Sequence, residues 1–313
     1  MDSNTDLPLE HFPIIDAVDH EILMHREAHF GGQFSIMLDY YRQEGKGAQP
    51  EFDIPRIERL AALEEQLKQN LAALFLAAHE IQKVADAREA YKELRAIYEV
   101  KKPKTHFPRL IADLILSEEE EAEAEIEAIV AEREKIVPAL IDLLRSEELY
   151  DPLFPGYGLS PFLAVKALGR IGDKRAIISL FEALGQGDFF ADDQIIKALK
   201  AIGEPAREFL LHVIKGRPIN EDNEKAAIAL IAFKDEDAVA DVCFELLQQP
   251  DVQKDPCLPT YLVLICAGLK DPAKREAFKK MAQNHHLPSL LREDIKGVIH
   301  DWEEEEKGLE GGP

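Results

Sequence analysis

VKALGRIGDKRAIISLFEAL, residues Val165–Leu184, decides the fold, because the chain says much of it again as IKALKAIGEPAREFLLHVI at Ile196–Ile214. Lys166, Ala167, Leu168, Ile171 and Gly172 recur as Lys197, Ala198, Leu199, Ile202 and Gly203, each 31 residues on. A third copy places Ala229, Leu230 and Phe233 another 31 along. A fourth, 36 further on, fills the slots of Leu230 and Phe233 with Cys266 and Leu269. The extra length falls in QQPDVQKDPCLP, a loop by composition.

Each copy reads as an apolar helix, a sharp break and a second amphipathic helix. Gly172 and Gly203 stand where a helix C-terminus favours a left-handed residue. Asp173, Glu204, Asp235 and Asp271 then open the next helix, where a carboxylate meets free N–H groups and the positive end of the dipole. Pro205 and Pro272 follow at a position that needs no N–H. A single hairpin cannot bury both its faces, so neighbouring copies are predicted to stack around one continuous core.

Upstream, residues 1–12 read as a disordered terminus and 13–102 as an N-terminal helical hairpin or bundle. Pro13–Phe30 is predicted helical, closed by Gly31-Gly32, with a shorter helix in QFSIMLDYYRQ. After the loop GKGAQPEFDIP, Leu60, Leu63, Leu67, Leu71, Leu74, Ala78, Ile81 and Ala85 form an apolar stripe at steps of three and four. Ser117 is placed to cap a helix that opens with Glu118–Glu121, residues favoured by its dipole. Residues 103–286 form the repeat array, and 287–313 a capping helix with an acidic tail.

The array resembles the HEAT-repeat superfamily in its short form, named after phycobilisome lyases, over roughly Ile136–Gln283. The line Val165–Leu184 carries the likeness, with looser copies after it and a first hairpin in KIVPALIDLL at Lys135–Leu144. The third and fourth copies carry Lys234 and Lys270 in place of the break glycine. The resemblance implies an all-α protein containing a right-handed α-solenoid. Deoxyhypusine hydroxylase has a similar solenoid, with His-Glu pairs as di-iron ligands on successive repeats. Those positions here hold Phe162-Leu163, Asp193-Gln194 and Glu224-Lys225, so that carry-over fails.

The charge narrows the partners. Sixty Asp and Glu against 37 Lys and Arg leave a net charge of −23. Such a surface forgoes the counterion release that drives nucleic-acid binding and repels an anionic membrane. It suits a neutral or basic protein partner. The opening MDSNTDLPLEHFP lacks a basic and an apolar signal region, and three cysteines make no disulfide framework, so a cytoplasmic location is expected.

Two clusters are candidates for sites. In DHEILMHREAHFGG, Glu21, His25 and His29 fall at i, i+4 and i+8 on one helical row, with His79 available from a later helix to complete a metal set. The same histidines also suit a core edge. In ELYDPLFPGYGLSPF, Leu149, Tyr150, Leu153, Phe154 and Tyr157 load a proline-stiffened connection with the side chains of a binding hot spot. These side chains also suit sealing the core. Phe189 and Phe190 extend that edge. Cys243 and Cys266 read as core residues and Cys257 as a loop residue. The expected function is a non-enzymatic scaffold or adaptor for protein–protein interaction, without a cofactor. A metal-dependent or phycobilin-lyase-like enzyme at the histidine row is the alternative, and a purely structural homo-oligomer a third class.

Overall fold

The computed structural model describes residues 15–43, 52–100, 106–117, 121–186 and 189–310, leaving aside the side chains of 189–190 and 308–310. Among the described residues the regular structure is helical throughout, with seventeen α-helices and no strand. The chain divides into two compact units: Met1–Ala128 with Ser146–Leu163, and Ile129–Arg145 with Ala164–Pro313. This division differs from the expected boundary at 102/103. The first unit runs on to Ala128 and takes in the whole connection that carries Leu149–Tyr157. The expected disordered segment 1–12 lies outside the described residues.

The first unit is built on α1 (Ala17–His29), α2 (Phe34–Arg42), α3 (Ile54–Leu67), α4 (Leu71–Phe75), α5 (Ala78–Glu99) and α6 (Phe107–Ile115), followed by α7 (Glu123–Val130). Asp16 caps α1 by accepting from the Asp19 N–H at 3.0 Å, and Asp53 caps α3, where Pro55 occupies the first turn. The apolar stripe from Leu60 to Ala85 is not one helix. Lys68 takes a left-handed φ of 54°, Asn70 starts α4 by accepting from Ala73 N, and Glu80 starts α5 by accepting from Ala77 N at 2.7 Å. Local capping thus cuts an unbroken periodicity into three pieces. The helix start expected at Glu118, behind a Ser117 cap, lies outside the described residues; the Ser117 hydroxyl donates back to the Leu114 carbonyl at 2.8 Å, and α7 begins at Glu123.

Helix α1 lies at the centre of this unit, packed on α3, α4 and α5. Ile22 and Leu23 are fully buried, and so are Asp19 and Arg26. Buried charges persist only when paired and hydrogen-bonded. Asp19 accepts from Arg56 Nε at 2.8 Å and from Arg59 Nη2 at 2.5 Å. Arg26 donates to Glu64 at 2.6 Å, Glu27 at 2.7 Å and Asn70 at 3.1 Å, with its guanidinium 4.4 Å from the Phe34 ring centre. These two knots tie α1 to α2, α3 and the start of α4.

The second unit begins with α8 (Val137–Leu144). The helix α9 (Ser160–Ile171) starts in the first unit and enters the second at Ala164. There follow α10 (Ile177–Ala183), α11 (Phe189–Ile202), α12 (Glu204–Ile214), α13 (Glu221–Leu230), α14 (Asp237–Leu247), α15 (Leu258–Cys266), α16 (Pro272–Met281) and α17 (Ser289–Glu310). Contacts join sequence neighbours (α10 to α11, α11 to α12, α12 to α13, α14 to α15, α16 to α17) and next-but-one helices (α8 to α10, α13 to α15, α14 to α16, α15 to α17). The repeated slots form the core of this unit: Leu168, Leu199, Leu230 and Cys266 are all fully buried, as are Phe233 and Leu269. Gly172 and Gly203 have φ of 71° and 79°, the left-handed conformation expected at the breaks. Trp302 of α17 is 3 % exposed and donates to the Ala267 carbonyl at 2.8 Å. No described helix is long and apolar enough to cross a membrane.

Candidate functional site

Two features that are separate in sequence meet in the first unit. His25 and His29 lie one turn apart on α1, and Tyr157 comes from the proline-stiffened connection. Their rings form a cluster. His25 stacks on His29 with centroids 5.1 Å apart, and Tyr157 stacks on His29 at 5.1 Å and lies nearly parallel to His25 at 6.4 Å. Phe52 meets His25 edge-on at 5.0 Å, and Tyr91 of α5 meets His29 edge-on at 5.2 Å.

The backbone that delivers Tyr157 is unusual. Gly156, Tyr157 and Gly158 all have positive φ, of 86°, 51° and 80°. At Gly156 an added Cβ would lie 2.1 Å from Ser160 Oγ and 2.9 Å from the Ile115 carbonyl; at Gly158 it would lie 2.9 Å from the Tyr150 carbonyl. Only glycine fits such close backbone approach, and the two glycines let a tyrosine sit in a conformation it otherwise avoids.

Burial sets the charge of the pair. It pushes the His25 pKa down to about 3, helped by neighbouring His29 and Lys83. It lowers His29 to about 4, against a hydrogen bond to the Leu153 backbone that acts the other way. His29 Nε2 is buried without a hydrogen-bond partner. Both imidazoles are therefore neutral at physiological pH.

The expected metal set is not assembled. Glu21 and His79 are exposed, and the paired histidines are engaged with rings and backbone. Among the described residues no group of three or more His, Cys, Asp or Glu is placed to hold a metal ion. The carboxylate beside His79 serves elsewhere, with Glu80 Oε1 2.9 Å from His20 Nδ1. The aromatic connection also turns inward. Leu153 and Phe154 are 2 % and 5 % exposed in the core of the first unit, Leu149 packs against that core, and Tyr157 joins the ring cluster. Tyr150 stays exposed, edge-on to Phe162 at 5.8 Å. The chain stiffened by proline seals the unit because its hydrophobic side chains have a core to enter. Phe189 and Phe190 begin α11, and their side chains lie outside the described residues.

Beside the ring cluster opens a cleft of about 890 Å³. His29, Phe30, Tyr40, Tyr91 and Tyr157 line it, and Arg88, Lys92 and Arg95 of α5 form one edge, with Glu99 beyond. Arg88 is committed to α1: its Nε donates to the Glu27 carbonyl at 2.8 Å and its Nη2 to the Glu27 carboxylate at 3.0 Å. Lys92 pairs with Glu89 at 2.8 Å on the surface. Sequence reasoning passed over this edge, although AREAYKELR carries its cations at i, i+4 and i+7, one face of a helix. Cys243 and Cys266 are buried, with burial pushing the Cys243 thiol up to about 12 and Cys266 well above its ordinary value. Cys257 is exposed.

No protein-family model matches this chain, and no curated protein matches it.

Proposed function

We propose that the chain is a non-enzymatic, cytoplasmic adaptor that binds another protein through a right-handed, HEAT-like α-solenoid formed by its second unit. One observation supports this reading above the rest: polar contacts in that unit recur at the interval of the repeat. Arg207 pairs with Glu236 29 residues on, Arg217 with Asp251 34 on, and Lys200 with Glu236 36 on. Thr260 bonds Asp294 34 on, and Trp302 reaches the carbonyl of Ala267 35 back. Contacts at one repeat length are those a hairpin makes with the next hairpin, the pattern of quasi-one-dimensional arrays. Such arrays present their second helices as a continuous surface, here α10, α12, α14 and α16. Those helices carry exposed Ile178 and the exposed carboxylates of Glu208, which also pairs with Arg207, and Glu245, a combination suited to a basic partner.

The test is affinity capture from native lysate with the full chain and with an Ile178→Glu, Glu208→Lys, Glu245→Lys variant. The reading expects one protein, identified by mass spectrometry, to be retained by the parent and reduced at least tenfold by the variant, with helicity unchanged. A partner retained equally by both would overturn the assignment of this surface.

A further inference from the structure

The cleft of the first unit is unlike the chain that contains it. Carboxylates outnumber cations overall, 60 to 37, yet the ionisable side chains along its α5 edge are Arg88, Lys92 and Arg95 against Glu99. Of the three cations, Arg88 is held by Glu27 and Lys92 by Glu89. Arg95 has no hydrogen-bond or ion-pair partner among the described residues; it is exposed and lines the cleft. The remaining wall is aromatic: Phe30, Tyr40, Tyr91 and Tyr157, with the His29 ring held between Tyr91 and Tyr157.

We infer that this cleft binds a small planar aromatic anion, its ring system lying among Tyr40, Tyr91, Tyr157 and His29 and its acidic group meeting Arg95 and Lys92. The volume falls within the range of small-molecule sites, which are concave, mostly apolar and furnished with a few placed polar groups. Aromatic walls favour a flat ligand through offset and edge contacts. A guanidinium without a protein partner pairs well with a carboxylate, sulfonate or phosphate. A basic peptide is disfavoured by the same edge. This inference does not rest on the adaptor reading, which concerns the second unit.

Two fluorescent probes with one ring system separate the contributions. 8-Anilinonaphthalene-1-sulfonate carries the anion; N-phenyl-1-naphthylamine lacks it. The full-length protein is expected to bind the sulfonate at one site per chain, about tenfold tighter than the neutral amine. Arg95→Glu should weaken the sulfonate about tenfold and leave the amine unchanged, while Arg95→Lys keeps most of the sulfonate affinity. Tyr91→Ala should weaken both probes. Because Arg95 is exposed, its variants test the inference even if Tyr91→Ala fails to fold, and circular dichroism reports on folding in each case. Equal affinity for both probes, sulfonate binding indifferent to Arg95→Glu, or no binding at all would overturn the inference.

Discussion

An imidazole deprived of water gives up its proton, and at His25 and His29 that loss dictates how the first unit answers pH. Above an unfolded pKa near 6.5 both residues are neutral in both states and contribute nothing to pH dependence. Below it the unfolded chain takes up protons that the folded chain refuses, so stability is lost as pH falls, by up to about 1.4 kcal/mol per pH unit for each histidine. The loss from His29 ends near its folded value of about 4, and that from His25 near about 3. The urea midpoint should therefore drop between pH 6.5 and 4, and His25→Phe, which keeps a ring against Phe52 and His29, should flatten that drop. An identical pH slope in the variant would mean that His25 is not the buried neutral base described here. Glycine supplies a second contrast. Gly156→Ala drives a Cβ to 2.1 Å from Ser160 Oγ and 2.9 Å from the Ile115 carbonyl, whereas Gly172→Ala, at φ 71°, meets nothing within 4 Å. The second change costs only the left-handed penalty, about 1 kcal/mol. The first adds overpacking, about 1–3 kcal/mol more, and thermal denaturation of the two variants should rank them in that order.

Among the helices, the contrast lies between what periodicity specifies and what close packing specifies. The slots of Leu168, Leu199, Leu230 and Cys266 were legible because a three- and four-residue rhythm recurred at intervals of 31, 31 and 36 residues, and all four are fully buried. The break glycines Gly172 and Gly203 were legible because helix C-termini have local chemistry. Gly268 was not. A Cβ there would lie 1.8 Å from the Lys234 carbonyl, a clash that exists only once the third and fourth copies are stacked. The same limit hid the candidate cleft: its cations share one helical face in the sequence, but the rings opposite them come from α1, α2 and the 146–163 connection. It also hid Arg26, whose burial depends on Glu64 and Asn70 arriving from other elements. Gly268→Ala is therefore expected to destabilise the second unit more than Gly172→Ala does, since the Lys234 backbone must yield at the first and nothing lies within 4 Å at the second; equal melting temperatures would refute the stacking contact. At the end of the array, Trp302 packs on Phe278 at 5.4 Å and beneath Arg275 at 4.5 Å. Trp302→Ala should cost about 3–5 kcal/mol by opening a cavity, read as a lowered urea midpoint with the denaturant slope retained.

For the whole molecule, the excess of 23 carboxylates gives salt and pH opposite roles. Like charges that lack partners repel in the compact state, and that repulsion is screened over about 10 Å at 0.1 M salt. The exposed ion pairs, such as Arg42–Glu58 at 2.6 Å and Arg145–Glu182 at 2.7 Å, are screened by the same ions, but each contributes only about 0–1 kcal/mol. Unmatched charge should therefore win, and the melting temperature at pH 7.5 should rise by a few degrees between 20 and 300 mM sodium chloride (roughly 2–4 °C per kcal/mol for a chain of this size). A fall would mean that the paired charges matter more than the unpaired excess. Lowering the pH relieves the same repulsion as carboxylates protonate, yet it charges His25 and His29 only in the unfolded chain. Those two responses oppose each other only where carboxylates begin to protonate, below about pH 5, and salt tells them apart: it weakens the carboxylate contribution while leaving the buried histidine contribution in place. Repeating the pH series at 20 and 300 mM salt, with His25→Phe alongside, therefore separates a surface property of the whole chain from a property of one ring cluster. If the difference between parent and variant shrinks at high salt, the histidine effect is electrostatic coupling to the acidic surface rather than burial.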